Sequence, residues 1–333
     1  MGHKPEGQMS FADRMVERRS ELNAELERID RLMKWESIVK QLESIYSAEV
    51  GRPSYPLLVL FKSLLLQQWH QLSDRALEAA LADRISFMRF VGLTLADQVP
   101  DHSTLSRFRA RLAALQVGQP LLDEVNRQLQ TRGLMVKQGT LIDASLVAAN
   151  VKPPRGAKGV VAPGDGSPAE PQAQWTRRGQ KSYFGYKLHL AADQGSDLIR
   201  KAVMTGNKIN DSEQGDELIC GDERALYADK GYDSGRRRQL LARLGIADGI
   251  MRRAAYGTAR APDPERTARN RQLAPIRAPI ERIIATVKRR YGLWRARYRR
   301  LERNQIHLSM ICIAANLRRA LLLLASSNGA PTT

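Results

Sequence analysis

The spacing of apolar residues changes once along this chain, at about Val136, and that change limits the fold more than any other feature. From about Phe11 to Leu134 apolar side chains recur at helical intervals, as in Leu57, Val59, Leu60, Leu64 and Leu65 and again in Leu77, Ala80 and Leu81. Beyond Val136 they gather into short, often alternating segments divided by turn residues: GTLIDASLV, FGYKLHLAAD, LIRKAVMT, ALYADKG and ADGIMR. These are expected to be five strands. Helices are expected near Ser212 to Leu218, over Gly235 to Leu244, from about Ala278 to Tyr291 and from Gln305 to Leu324. Three strands in series, then strands alternating with helices, predict an α/β fold with a mixed sheet flanked by helices. A chain of 333 residues has length for two cores. The expected division is an all-α N-terminal domain over 1–135, an α/β domain over 136–326 and a tail at 327–333. Between the first two strands, the Gly- and Pro-rich stretch at about 152–174 has too few core-forming residues to pack and is expected to be a mobile loop.

Charge narrows the partner. With 53 Lys and Arg against 35 Asp and Glu, the net charge is +18 and the pI about 10.3, a balance that favours a polyanion, nucleic acid first. Cys220 and Cys312 lie far apart with no CxxC spacing, which points away from a disulfide framework or a zinc site and fits a reducing cytosol. The start of the chain has no apolar stretch of the kind that targets secretion, and the longest apolar run, Leu57 to Leu66, is broken by Lys62. A soluble protein without a membrane span is expected. Within the helical half, VPDHSTLSRFRARL offers Ser103 or Thr104 as an N-cap, with Leu105, Phe108, Leu112 and Leu115 as a buried stripe. Arg107 and Arg111 then share the outward face at i, i+4, as on a DNA-recognition helix or on any amphipathic helix with a solvated basic side.

Three acids interrupt this pattern. Asp143 follows the apolar start of GTLIDAS, and Asp229 follows Ala225 to Ala228 and precedes the turn at Gly231. Each alone reads as a turn-starting or capping aspartate, but the crevice beyond strand ends is where open α/β sheets bind ligands. The third, Glu281, edges the apolar face formed by Ile280, Ile283, Ile284, Val287 and Tyr291 in RAPIERIIATVKRRYG, with Arg277 and Lys288 on its own side of the helix. An Arg277–Glu281 surface pair would explain two of those residues at little energetic consequence. Three converging carboxylates, in contrast, would repel one another unless a hard cation such as Mg²⁺ lay among them, and paired Mg²⁺ ions serve phosphodiester chemistry. Met251 to Arg303 holds 16 Lys or Arg against 4 Asp or Glu, a density that favours a phosphate backbone over an ordinary charged surface.

These blocks together resemble bacterial insertion-sequence transposases with an RNase H-like Asp-Asp-Glu core, most closely the insertion-sequence-five family. LIDAS is similar to the strand of the first aspartate, and ADKGYDS to that of the second, with Gly231 and Tyr232 following Asp229. RAPIERIIATVKRR resembles the glutamate helix, whose Tyr-x2-Arg-x3-Glu-x6-Lys signature falls on Arg277, Glu281 and Lys288, with Ala274 in place of the tyrosine. QWTRRGQKSYFGYKLHLAAD is similar to the second strand region and TGNKINDS, less closely, to the third; the helical half is similar to the family's N-terminal domain. The resemblance implies a retroviral-integrase-like catalytic domain that cuts at insertion-sequence ends and joins them to target DNA. Asp143, Asp229 and Glu281 would hold two Mg²⁺ ions, with Mn²⁺ able to substitute. Arg277 and Lys288 would contact phosphates, with Lys187 and His189 as neighbours of the site, although a hydrogen-bonded histidine on a sheet face suits His189 better than ligation. It also implies double-stranded DNA as partner, as terminal inverted repeats and as target, a homodimer when synapsed, and a DNA-associated protein of the bacterial cytoplasm. Between Asp229 and Glu281 there is no room for a large β-rich insertion. Two other readings remain open from the residues: a structure-selective nuclease that cuts without joining, and a non-catalytic DNA-binding regulator.

Overall fold

The computed structural model describes residues 24–43, 55–151, 170–254 and 263–328. The chain divides into two compact units, one of Met1–Thr131 with Ser309–Thr333 and one of Arg132–Leu308. The described helices of the first are α1 (Ala24–Leu32), α2 (Trp35–Leu42), α3 (Leu57–His70), α4 (Asp74–Asp83), α5 (Ile85–Val91), α6 (His102–Ala114) and α7 (Gly118–Thr131). The second part of α12 (Leu301–Asn328) joins them from Ser309 onward, so the residues that follow the sheet do not all belong to its unit.

The helical core is aromatic at its centre. Trp35 meets Phe61 and Phe90 edge-on at 6.4 Å, and Trp69 meets Phe90 at 5.6 Å. Lys62, which interrupts the apolar run in the sequence, is buried in α3; its ammonium bonds the Asp30 carboxylate and lies 4.7 Å from the Trp35 ring centre. Arg109 of α6 is likewise buried, held by Asp74 at 2.7 Å and Gln67 at 3.2 Å. The cap of α6 is Asp101, whose carboxylate accepts from the Thr104 backbone N–H at 2.6 Å; the helix thus starts before Ser103 and Thr104, the expected caps. Leu115, expected in the buried stripe, lies past the last helical residue and is 47% exposed. Arg107 and Arg111 face outward.

By length and composition α12 has a stretch, Leu301–Ser326, able to cross a membrane, but most of it is buried within the protein. Trp69 Nε1 donates to the Ala314 carbonyl, and Asn316 donates to Asn126. Earlier in the helix, Gln305 donates to Ala202 O and accepts from Met204 N. These contacts are those of a core helix.

Among the described residues the second unit carries a six-stranded sheet: β1 (Thr140–Ala148), β2 (Gln174–Arg178), β3 (Lys181–Asp193), β4 (Ile199–Gly206), β5 (Ala225–Ala228) and β6 (Ala247–Ile250). β3 is antiparallel to β1, to β4 and, at its start, to β2; β1, β5 and β6 run parallel. A meander followed by parallel crossovers is the mixed, RNase H-like arrangement expected, with β2 added as a hairpin arm. Gly185 makes the arm possible. Its φ is +156°, and a Cβ there would lie 2.1 Å from the Val147 carbonyl oxygen, so β3 reaches past the end of β1 only with no side chain at that position. Short α8 (Asp211–Gln214) takes the place of the helix expected to Leu218, and α9 (Gly235–Leu244) lies where expected. Ile142, Leu226, Ala228, Tyr232, Leu241 and Ile250 belong to one core that joins the sheet to α9. Residues 152–169 of the expected loop, and 329–333 of the expected tail, lie outside the described residues. Glu170 is buried, accepts from the Tyr186 hydroxyl and receives the Arg300 N–H at 2.6 Å, and β2 begins at Gln174, so this end of the Gly- and Pro-rich stretch is packed.

His189 of β3 is fully buried, with Nε2 2.9 Å from the Thr205 hydroxyl oxygen of β4. Burial, reinforced by Lys187 and opposed by Asp211, pushes its pKa down to about 4. The folded state therefore holds this imidazole neutral while the unfolded chain, titrating near 6.5, takes a proton. Its contribution to stability is complete above pH 6.5 and is lost as pH falls toward 4, on the order of 3 kcal/mol in all. Urea unfolding of the parent and of His189→Leu across that range should show the acid-side slope reduced in the variant; parallel slopes would remove His189 as its source.

Candidate active site

The first aspartate sits within a strand, not at its end. β1 pairs with β5 only through Thr140↔Leu226 and Leu141↔Tyr227, after which β5 stops at Ala228 while β1 continues to Ala148. Carried two residues further, that register brings Asp229 level with Asp143. The two acids, 86 positions apart in sequence, thus meet where one strand outruns its neighbour. Asp229 caps the turn that ends β5, its carboxylate accepting from the Gly231 N–H at 2.6 Å. A Cβ on residue 231 would lie 2.7 Å from that carboxylate oxygen, so a larger residue there would oblige the Asp229 side chain to shift.

Glu281 comes from helical structure that is broken once. α10 (Pro264–Arg277) and α11 (Pro279–Arg289) are separated by Ala278 alone, because Pro279 has no N–H to continue the first helix. The α10 segment has the composition of a basic loop, yet it is a helix: Asp263 as N-cap, Pro264 at the first position and Glu265 in the first turn are start signals present in the sequence. Ile280, Ile283, Ile284 and Val287 are the buried residues of α11, and Glu281 is left 63% exposed beside them.

Arg277 joins two of the acids. Its guanidinium donates to Asp143 at 3.0 Å and to Glu281 at 2.5 Å, and its side chain is only 16% exposed. It is therefore not a solvated surface bridge, and its Nε is buried without a partner. Asp143 also accepts from its neighbour's N–H, Ala144, at 2.8 Å. Burial raises the Asp143 pKa, the Asp229 charge raises it further, and Arg277 and the Ala144 N–H oppose both. Lys288 donates to Ser145 Oγ at 3.0 Å and to the Leu146 carbonyl at 2.8 Å, tying α11 to β1. Lys187 pairs with Asp211 at 2.9 Å and donates to Ile209 O at 2.8 Å. Tyr232 is buried with its hydroxyl unpartnered; burial and the charges of Asp211, Asp143 and Asp229 all push its pKa up. Among the described residues, no three His, Cys, Asp or Glu side chains lie close enough together to hold a metal ion. The guanidinium of Arg277 lies between the first and third acids.

Two family models match the sequence, a Transposase domain (DUF772) over residues 14–111 and a Transposase DDE domain over residues 135–317. The second takes in more than half of the chain. The chain belongs to the DDE transposases. A cryo-EM structure of the piggyBac transposase synaptic complex with hairpin DNA is similar over 92% of this chain and 82% of that one, at 10% identity and a TM-score of 0.39. A likeness that slight bears on neither ligand nor mechanism.

As a DDE transposase the protein is an enzyme of DNA cleavage and strand transfer, and enzymes of this family use divalent metal ions. The fold brings Asp143, Asp229, Glu281 and Arg277 into one neighbourhood, with Lys288 against the same strand. Asp211 joins that neighbourhood through Lys187 and Tyr232. Sequence reasoning passed over it because an aspartate after Asn210, which caps α8, reads as a helix-start residue.

Asp143 is costly to ionise where it lies. Its raised pKa means the folded state favours the neutral acid, a contribution to stability present in full below pH 3.8 and lost as pH rises through the folded value. Asp143→Asn should accordingly raise the midpoint of thermal unfolding at neutral pH in EDTA. A lower midpoint would mean the Arg277 bond outweighs the burial of the charge.

Proposed function

We propose that this transposase is of the insertion-sequence-five type and that Asp143, Asp229 and Glu281 are its catalytic acids. The observation that carries the reading is the meeting of Asp143 with Asp229 at the overshoot of β1, together with the Arg277 bridge from Asp143 to Glu281. Once Arg277 is drawn aside and the acids close up, the three would hold two Mg²⁺ ions, or Mn²⁺ in their place, since hard carboxylate oxygens and a repelling acid pair suit a hard cation. Bound there, such a pair supplies charge to the attacking and leaving oxygens of an in-line phosphoryl displacement.

The chain's own groups set the stage for that displacement. Arg277 offsets the charges of Asp143 and Glu281, and its place between them supports a second role in positioning the scissile phosphate. Lys288 fixes α11 against β1 beside the same position, which holds the helix of Glu281 on the strand of Asp143. The basic segment from Met251 to Arg303 supports binding of the terminal inverted repeats and of target duplex by their phosphates. The helical N-terminal residues to about 135 would supply DNA recognition and dimerisation, with Arg107 and Arg111 exposed on α6 for contact with DNA, and residues from 136 the catalysis. Lys187 supports the site through Asp211. A homodimer on paired ends, acting on DNA in the bacterial cytoplasm, completes the reading.

The test is cleavage and joining of the element's own end DNA. Asp143→Asn, Asp229→Asn and Glu281→Gln should each slow both steps at least about a hundredfold, the usual loss when one electrostatic stabiliser is removed, while binding DNA like the parent. Mg²⁺ or Mn²⁺ should support the reaction and Zn²⁺ should not. Parent-like turnover by any one variant removes that residue from the site, undiminished cleavage in EDTA removes the metals, and cutting without joining turns the reading to a nuclease.

For the helical unit, Arg107→Ala combined with Arg111→Ala should lower affinity for end DNA more than for unrelated duplex. The dependence of log affinity on log salt should become shallower by up to about 0.9 for each phosphate that the variant no longer neutralises. An equal drop in affinity on both duplexes would make α6 an ordinary amphipathic helix.

A further inference from the structure

Arg237 is the largest fully buried side chain among the described residues, and it stands in the first turn of α9. Both facts count against it as a choice for stability. A guanidinium loses its hydration in a core, and the N-terminus of a helix already carries positive charge from its dipole. What the group holds accounts for it. Nε donates to the Asp216 carboxylate at 2.7 Å, Nη2 to the Ser212 carbonyl, and Nη1 to the Tyr232 carbonyl at 2.5 Å. One planar cation thus joins three points on two loops, the loop that follows β4 and the loop that follows β5. The chain passes close to it at Gly215, where a Cβ would lie 2.6 Å from Cζ of the guanidinium.

The loop after β5 is the one that bears Asp229. Because β5 ends at Ala228, no strand pairing fixes this acid, and its place depends on what holds the turn. The Tyr232 N–H donates to the Asp229 carbonyl at 3.1 Å, and the carbonyl of the same Tyr232 is the one that Arg237 takes. The two carbonyls between them, of Lys230 and Gly231, accept from Arg253 at 2.5 and 2.6 Å, but Arg253 is exposed, where water competes for the same bonds. Arg237 is shut away from that competition. The loop after β4, for its part, is anchored to the sheet by Lys187 of β3, which pairs with Asp211 and donates to Ile209 O. We infer that Arg237 is a positioning residue for the second acid: it ties the turn of Asp229 to the loop anchored on β3, and so sets where Asp229 meets Asp143. The inference rests on the reading of Asp229 as a catalytic acid.

A buried arginine that only stabilises and one that positions an acid differ in what their loss changes. The experiment takes the full chain bound to already cut end DNA and measures its affinity for Mn²⁺ from the paramagnetic resonance of the free ion. Single-turnover cleavage of uncut ends and thermal melting are followed beside it. Arg237→Met keeps bulk and removes the bonds. It should weaken Mn²⁺ binding at least about tenfold, the usual loss when the support of a metal-binding group is removed, and slow cleavage by up to about a hundredfold. Affinity for end DNA in EDTA should stay close to the parent's. Arg237→Lys, which restores the charge and part of the bonding, should recover part of both losses. Gly215→Ala keeps the arginine and places alanine on helical backbone, but obliges the guanidinium to shift. It should weaken Mn²⁺ binding in the same direction while melting near the parent. Parent-like Mn²⁺ affinity and rate in Arg237→Met would overturn the inference, whatever its melting temperature; if that variant does not fold, the same result in Gly215→Ala would do so. Asp229→Asn is the reference. Parent-like Mn²⁺ binding by Asp229→Asn would overturn the reading of Asp229 itself, whereas weak binding by it beside parent-like binding by Arg237→Met would overturn the positioning role alone.

Discussion

The burial of Asp143 beside Asp229 is the constraint on which the catalytic unit turns. Two carboxylates level with each other on parallel strands are unfavourable when the neighbouring core excludes water. The protein tolerates them because β5 stops where β1 continues, so that Asp229 can turn outward into its cap on Gly231, and because Arg277 reaches Asp143 from another element. Burial still raises the Asp143 pKa in spite of that guanidinium, which is the mark of a site short of positive charge. A site in this condition is suited to cations, and to a phosphate only once they are bound, more than to stability for its own sake.

The rest of the unit holds that arrangement in place. Pro279 ends one helix and starts the next, and the isoleucine face of α11 fixes the second against the core with Glu281 at its margin. Lys288 then fastens the far end of α11 to β1 beyond Asp143. Arg277 and Lys288 thus grip the same strand on either side of the glutamate, and the geometry of the third acid depends on both. Gly185 lets the β2–β3 arm, with Trp175 and Phe184, pass close to the end of β1. The same overshoot of β1 that leaves Asp143 beyond the end of β5 also supplies, farther along, the edge to which the segment at Arg295 pairs.

Much of this was legible in the residues. The strands of GTLIDASLV, FGYKLHLAAD, LIRKAVMT, ALYADKG and ADGIMR are present, because alternation and β-branched content report directly on half-buried pleated structure. The β2 arm escaped notice because QWTRR is too polar to alternate visibly, and α10 because its charge outweighed its start signals. The buried Lys62 and Arg109 were illegible in principle: a charged side chain reads as solvent-facing until the partner that desolvates with it, Asp30 or Asp74, is brought alongside by the fold.

The sequence by itself determined most of the elements, the transposase family and the basic character that suits a phosphate backbone, since each depends on local pattern or on composition. It also marked Asp143, Asp229 and Glu281, through the strand, turn and helix in which each is set. Only the tertiary structure decided that Asp143 lies inside its strand, that Arg277 joins it to Glu281, and that the β2–β3 arm passes the end of β1. Those are relations between residues separated by tens to more than a hundred positions. Strand register, helix packing and the end of one strand beside another create them, and no spacing along the chain encodes a distance in space.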